Sequence, residues 1–306
     1  MASFMHGQLA QPNSLYLIDL YRVIPAYGGL ERSLSVNFNN RQQWSAVTGN
    51  PRQVYLNAHL PVKILKGGAG LYAYNDNIGL IRQTGAGISF NRLIYNELGV
   101  FSYGLKLGLK QARLDGTRIT TPDGIYTGSL FSHEDLILPL QGTSGFGVEY
   151  GLSLFIGHEL FDIGVSFENY ANGVQNLGFT GIDNSQQFTI FGRLPFRFLE
   201  MTWHPSLLIR SNFQVVQTDL SCLVKSGNVF GGLSLRGFDS RSLDSVVVIA
   251  GIQFNSNYKI SYSYDIGLSE IGLVSDGSHE ILIHYNLNKL LGIGMPPEII
   301  HNPRFL

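Results

Sequence analysis

From about residue 32 to residue 288 the chain alternates apolar and polar positions with a period of two, and turn residues interrupt the alternation repeatedly. That period marks β-strands whose two faces meet different surroundings. It predicts fourteen strands, near residues 32–42, 52–61, 67–76, 83–95, 97–111, 144–158 and 160–170, then 185–195, 199–211, 214–226, 228–238, 244–255, 257–267 and 278–288. In the sixth, Val148, Tyr150, Leu152, Leu154 and Ile156 share one face, while Glu149, Gly151 and Ser153 share the other. The thirteenth sets Ile260, Tyr262, Tyr264 and Ile266 against Lys259, Ser261, Ser263 and Asp265. The last sets Ile281, Ile283, Tyr285 and Leu287 against Glu280, His284 and Asn286.

Connection lengths alternate too. Those after strands four, six, eight, ten and twelve are a few residues each, whereas 112–143, 171–184, 239–243 and 268–277 follow strands five, seven, eleven and thirteen. Transmembrane barrels of the bacterial outer membrane have short periplasmic turns and longer extracellular loops, which predicts periplasmic termini here. A soluble β-sandwich also alternates, so composition has to arbitrate. Only 14% of the 306 residues are charged, against about 25% in ordinary soluble domains. With so few charges, the apolar face is expected to meet lipid rather than a second sheet. No apolar run reaches the length of a membrane helix, and a closed barrel is the other architecture that satisfies its backbone in hydrocarbon. The expected fold class is therefore all-β: a transmembrane antiparallel outer-membrane β-barrel of about fourteen strands.

The expected division of the chain is a signal-cleavage remnant over 1–10, a periplasmic or plug segment over 11–31, the barrel over 32–288 and a periplasmic tail over 289–306. Gly7-Gln8-Leu9-Ala10-Gln11 reads as the last residues before a cleavage site. In the tail, Pro296 and Pro297 prevent further regular structure, and Pro296, Pro297, Arg304, Phe305 and Leu306 are the candidate periplasmic docking residues. A formal net charge of -1 gives no basic footprint for nucleic acid, and the single cysteine, Cys222, excludes an internal disulfide.

Candidate chemistry is sparse. His279, Glu280 and His284 have the wrong spacing for a zinc protease, and on a strand residues 279 and 284 point to opposite faces. His204 and Ser206 share a face, as the nucleophile and base of an outer-membrane hydrolase would, but Trp203, Leu207 and Ile209 claim the lipid side and leave that pair in the lumen. Gly67, Gly68, Gly70, Gly85 and Gly87 precede no helix, so they make no phosphate loop and are expected to admit large aromatics. These features point to no cofactor, no metal and no enzymatic activity. Parity and strand direction instead predict a luminal polar network of Arg41, Arg210, Arg236, Asp265 and Glu280 near one end of the barrel. The long connection offers Arg113, Asp115, Arg118, Phe131, His133, Glu134 and Asp135 as a candidate extracellular partner surface.

Several segments, in order along nearly the whole chain, resemble the PorP/SprF family of type IX secretion and gliding motility in the Bacteroidota. They include Gln11-Pro12, Ile24-Pro25-Ala26-Tyr27-Gly28-Gly29, Arg41-Gln42-Gln43-Trp44, Gly49-Asn50-Pro51, His59-Leu60-Pro61 and His204-Pro205-Ser206. Gly232 to Arg236, Tyr262-Ser263-Tyr264-Asp265, Gly277-Ser278-His279-Glu280-Ile281 and the closing Asn302-Pro303-Arg304-Phe305-Leu306 continue the set. The resemblance implies a fourteen-stranded barrel at the cell outer membrane, without enzymatic activity, supporting export or surface anchoring of specific cargo. Its implied partners are outer-membrane lipid, other type IX components and a secreted or surface-anchored cargo protein. The competing class is a passive channel or transporter. Against it, Tyr55, Tyr72, Phe155 and Phe230 take inward parity and narrow the lumen.

Overall fold

Alternating side chains become alternating surroundings in the computed structural model, which describes residues 13–127, 132–135, 138–170, 185–238, 242–269, 272 and 274–291. Its first seven strands are β1 (Ser35–Gln42), β2 (Arg52–Val62), β3 (Gly67–Ile78), β4 (Ile81–Asn96), β5 (Gly99–Asp115), β6 (Gly142–Gly157) and β7 (Asp162–Tyr170). They continue as β8 (Ser185–Arg193), β9 (Phe196–Phe198), β10 (Met201–Ser211), β11 (Val216–Ser226), β12 (Val229–Phe238), β13 (Ser242–Gln253), β14 (Tyr258–Gly267) and β15 (Ser278–Asn286). All pairings are antiparallel between neighbours, and β15 returns to pair with β1, so the sheet closes.

There are fourteen staves rather than fifteen. Both β8 and β9 pair with β10 in one continuous register, Ser206 opposite Arg193 and Trp203 opposite Phe196, and the interruption falls at Leu194 and Pro195. Proline has no N–H to donate, so the ladder breaks there. The strand expected to end at 195 thus stops at Arg193, and its stave resumes at Phe196–Phe198, which the sequence reading left to the connection.

Outward positions are Phe38, Leu56, Ile88, Leu107, Leu152, Leu207, Leu220, Leu233, Ile260 and Ile283 and their like, all exposed and apolar. Inward positions are buried, most of them polar or aromatic and a few aliphatic, such as Leu208, Val247, Ile249 and Leu282. The strands β4 and β5 have 16 and 17 residues. At about 3.3 Å per residue and a tilt of about 40° they stand about 40 Å high, well above an apolar band of about 25 Å. Their far ends therefore lie beyond the hydrocarbon, where outward polar residues are at home. This is why β5 runs on to Asp115, and why Arg113 and Asp115 belong to the wall instead of the long connection.

The interior is filled by the chain's own N-terminal segment. Asn13 lies near the barrel end opposite the one where β1 begins, and the segment descends through the lumen to Leu30 by way of a short helix α1 (Leu20–Val23) and a 3-10 turn (Pro25–Tyr27). Leu15, Tyr16, Leu20, Ile24 and Ala26 form one apolar cluster with the wall residues Phe155, Phe191, Leu208, Val247, Ile249 and Leu282. Each Leu, Ile, Val or Phe side chain among them taken fully out of water contributes about 1.5–3 kcal/mol.

Candidate functional site

The site begins with the wall that receives the plug. Gly70 faces Tyr21 so closely that a Cβ would lie 2.1 Å from the phenol oxygen, and at Gly68 a Cβ would meet the Gly28 carbonyl oxygen at 2.3 Å. Absence of side chains on β3 is what lets the segment lie against it. The glycines at 85 and 87 do the same for the wall's own aromatics, Tyr74 and Tyr72.

Polar groups then hold the segment on every side. Tyr21 Oη and Ser89 Oγ are 2.6 Å apart, and Tyr16 Oη lies 3.0 Å from Ser206 Oγ and donates to Ser221 Oγ at 2.9 Å. The Ala26 N–H donates to Ser153 Oγ, and the Ala26 carbonyl accepts from Ser102 Oγ and Asn91 Nδ2. The Val23 carbonyl accepts from Ser166 Oγ, and the Gly29 N–H donates to His59 Nδ1. Asp19 accepts from Asn37 and Asn57, while Arg22 donates to Asn39 and Gln53 and stacks 4.3 Å above the Tyr55 ring. These backbone groups have left regular structure, and buried unpaired groups are costly, so the wall's Ser and Asn residues take the place that water or a ladder would have.

At the far end the segment is clamped by buried charge. Arg41 donates through Nη2 to Asp265 Oδ2 at 2.6 Å and through Nη1 to Glu280 Oε2 at 2.9 Å. Arg236 donates to Asp265 Oδ2 at 2.7 Å and to Asp219 Oδ1 at 2.6 Å, and Arg210 donates to Asp219 Oδ2 at 2.8 Å. Three guanidiniums meet three carboxylates, so the cluster is neutral as a whole. Ser14 sits at its centre: its N–H donates to Glu280, its hydroxyl donates to Asp265, and both Arg41 and Arg236 donate to that hydroxyl. Register builds the arc, with Arg41 opposite Glu280 and Asp219 opposite Arg236. Sequence reasoning leaves out Asp219 and Ser14. The first shares inward parity with Ser221 and was open to discovery; the second lies in a segment without periodicity.

Across the lumen a second block fills the space beside the plug. Tyr55, Tyr72 and Tyr74 stack with centroids 6.2–6.4 Å apart, Tyr72 and Tyr74 donate to Glu149, and Lys106 pairs with Glu168 at 2.9 Å while lying 4.3 Å over the Tyr72 ring. With Phe155 and Phe230 also buried, aromatic bulk and plug together occupy the interior.

The remaining sequence-predicted residues separate. Ser206 is buried in the lumen and engaged by Tyr16, away from any lipid boundary. His279 points outward and the buried His284 inward, and among the described residues no group of three or more His, Cys, Asp or Glu is placed to hold a metal. In the long connection, Arg118, Glu134 and Asp135 are exposed. His133 is not: it is 1% exposed, with Nδ1 3.0 Å from Tyr126 Oη and Nε2 3.1 Å from the Gly116 carbonyl, so it packs the loop onto itself and offers no surface. Phe131, Pro296, Pro297, Arg304, Phe305 and Leu306 lie outside the described residues. The N-terminal segment, expected as a periplasmic or a plug segment, lies inside the barrel from residue 13 onward, because its apolar face and the glycine-cleared wall match.

Among solved structures, the chain is similar to the outer membrane protein Omp33 of Acinetobacter baumannii, at 6% identity and a TM-score of 0.46 over 83% of this chain and 97% of that one. It is also similar to a mutant of the Rh. blastica porin, at 12% identity and a TM-score of 0.39 over 83% and 98%. No curated protein matches it. The profile described as "Type IX secretion system membrane protein PorP/SprF" matches residues 6–285, and with that span the chain belongs to the PorP/SprF family of type IX secretion membrane proteins.

Proposed function

We propose that this outer-membrane barrel is a non-enzymatic part of the type IX machinery that supports export or surface anchoring of a particular cargo protein, and that it does so as a filled scaffold. The observation that carries this reading is the lumen occupied by the chain's own residues 13–31 in a member of a secretion family. A passive channel needs a water-filled path, and the clamp, plug and tyrosine stack take up that volume. A hydrolase needs His204 and Ser206 at the lipid boundary, whereas Ser206 is committed to Tyr16.

In this reading the far end faces the cell exterior. The connections at the opposite end are all short, such as Glu97-Leu98 and Gly227-Asn228, while 116–141 and 171–184 join strands at the far end. The exposed Arg118, Glu134 and Asp135 then form a surface for cargo or for another outer-membrane component. The tail from Lys289 onward meets periplasmic components. The test is a chromosomal deletion in the bacterium that encodes the chain, complemented with the whole protein or with a version lacking 119–138, and read by surface labelling of intact cells. The proposal expects loss of one cargo or a small set from the surface, restored only by the whole protein. An unchanged surface proteome after deletion would overturn it.

A further inference from the structure

The outer face of the barrel carries a feature apart from the plugged lumen and the long connection. Across four adjacent strands the register aligns Arg52 with Asn77, Asn77 with Arg82, and Arg82 with Arg113, and all four side chains point outward and are exposed. The next outward row toward the membrane centre is Val54, Asn75, Thr84, Gln111 and Phe146. The row below that is Leu56, Ala73, Ala86, Leu109 and Val148. The two alanines between Leu56 and Leu109 leave a groove of about 500 Å³ that Val54 and Phe146 also line. Phe146 and Leu109 are 73% and 67% exposed, so nothing among the described residues covers it.

We infer that this face binds a phosphorylated, multiply acylated glycolipid of the outer leaflet, with phosphates on the arginine row and an acyl chain in the groove. Charge complementarity argues for it. Guanidinium forks suit phosphate oxygens, and no ion pair among the described residues uses Arg52, Arg82 or Arg113. Arg82 is held in place by its neighbour: in the amide orientation that satisfies both ends, Asn75 Oδ1 accepts from Arg82 Nε at 2.9 Å. Three interstrand spacings separate Arg52 from Arg113, about 14 Å, a width that suits a head group with more than one phosphate.

Height agrees with the occupant. On β5 the outward residues from Leu109 to Phe101 are apolar or aromatic, and eight steps along a strand tilted by about 40° give about 20 Å of apolar wall. Gln111 and Arg113 stand just above that band, at head-group level. Among the described strands no other places an outward Lys or Arg at this end. The row is therefore a local site and not a girdle. The inference uses the orientation proposed above, but its test uses purified protein and is independent of that orientation.

The whole protein in detergent is titrated with diphosphoryl lipid A, with the same lipid stripped of phosphate, and with phosphatidylglycerol, and bound lipid is counted by native mass spectrometry. The expected result is one tightly retained diphosphoryl lipid. Changing Arg52→Gln, Arg82→Gln and Arg113→Gln together should weaken it at least tenfold. Ala86→Phe, which fills the groove without altering charge, should weaken it several-fold. Arg92→Gln, an outward arginine near the other end, should leave it unchanged. All these positions lie on the outer surface, and heat-modifiable migration in gels reports whether each variant is folded. Equal retention of the dephosphorylated lipid, equal retention of phosphatidylglycerol, or wild-type binding by the folded triple variant would each overturn the inference.

Discussion

Replacing Arg41 by methionine tests whether the clamp at the far end is a buried, mutually dependent cluster. Arg41 is 1% exposed and serves two carboxylates, Asp265 and Glu280, which are 4% and 0% exposed. Asp265 keeps Arg236 and Ser14 when Arg41 is removed. Glu280 keeps only the Ser14 N–H and Asn39 Nδ2, and so becomes an uncompensated buried charge. Removing one partner of such a pair costs about 3–5 kcal/mol, whereas an exposed pair is worth about 0–1 kcal/mol. Urea unfolding of the barrel in phospholipid vesicles, followed by the fluorescence of Trp44 and Trp203, measures the difference. Adding Glu280→Gln to Arg41→Met should recover at least half of the loss, because the amide no longer carries the stranded charge. A cost below about 1 kcal/mol, with no recovery in the double variant, would mean that water reaches these groups and would refute the reasoning.

Further outcomes follow from the plug and the wall. Tyr16→Phe strips one hydroxyl from two buried serines, and should cost about 1–3 kcal/mol in the same unfolding assay while leaving the barrel's β-sheet circular dichroism intact. Gly70→Leu puts a side chain where the Tyr21 ring lies, and should expose the N-terminal segment to protease in the folded barrel, at a cost of about 1–3 kcal/mol. Ile283→Arg, on the lipid face of β15, should cost about 2–4 kcal/mol if it lies near the midplane, while Ile283→Leu should be near neutral.

The parts of the fold legible in the sequence are those governed by local period. Side-chain alternation sets which face each strand residue takes, so Val148, Leu152 and Ile283 fall outward, and Arg41, Asp265 and Glu280 inward, without any knowledge of neighbours. Closure then brings β1 to β15. The boundaries of β5 and β6 are less legible, because outward Arg113 and Asp115 look like loop residues until the strand's height above the hydrocarbon is known. Pro195 interrupts a stave whose register continues on both sides, which a single-strand reading overlooks. The path of residues 13–31 is the least legible part. The segment has no periodicity, and what draws it inside is a non-local fit between Tyr21, Ile24 and Ala26 and wall positions 70, 164 and 104 that lack side chains. Ser14 enters the clamp only through that path, and Asp219 gains its importance from two arginines on the strands either side of it.

Whether the chain's own N-terminal segment fills the lumen is read out by single-channel recording of the purified whole protein in planar bilayers. With the lumen filled, the intact chain gives no resolvable conductance steps, and ion-conducting steps emerge once residues 13–31 are deleted or displaced by Gly70→Leu. Porin-like steps from the intact chain, no larger after the deletion, would contradict it.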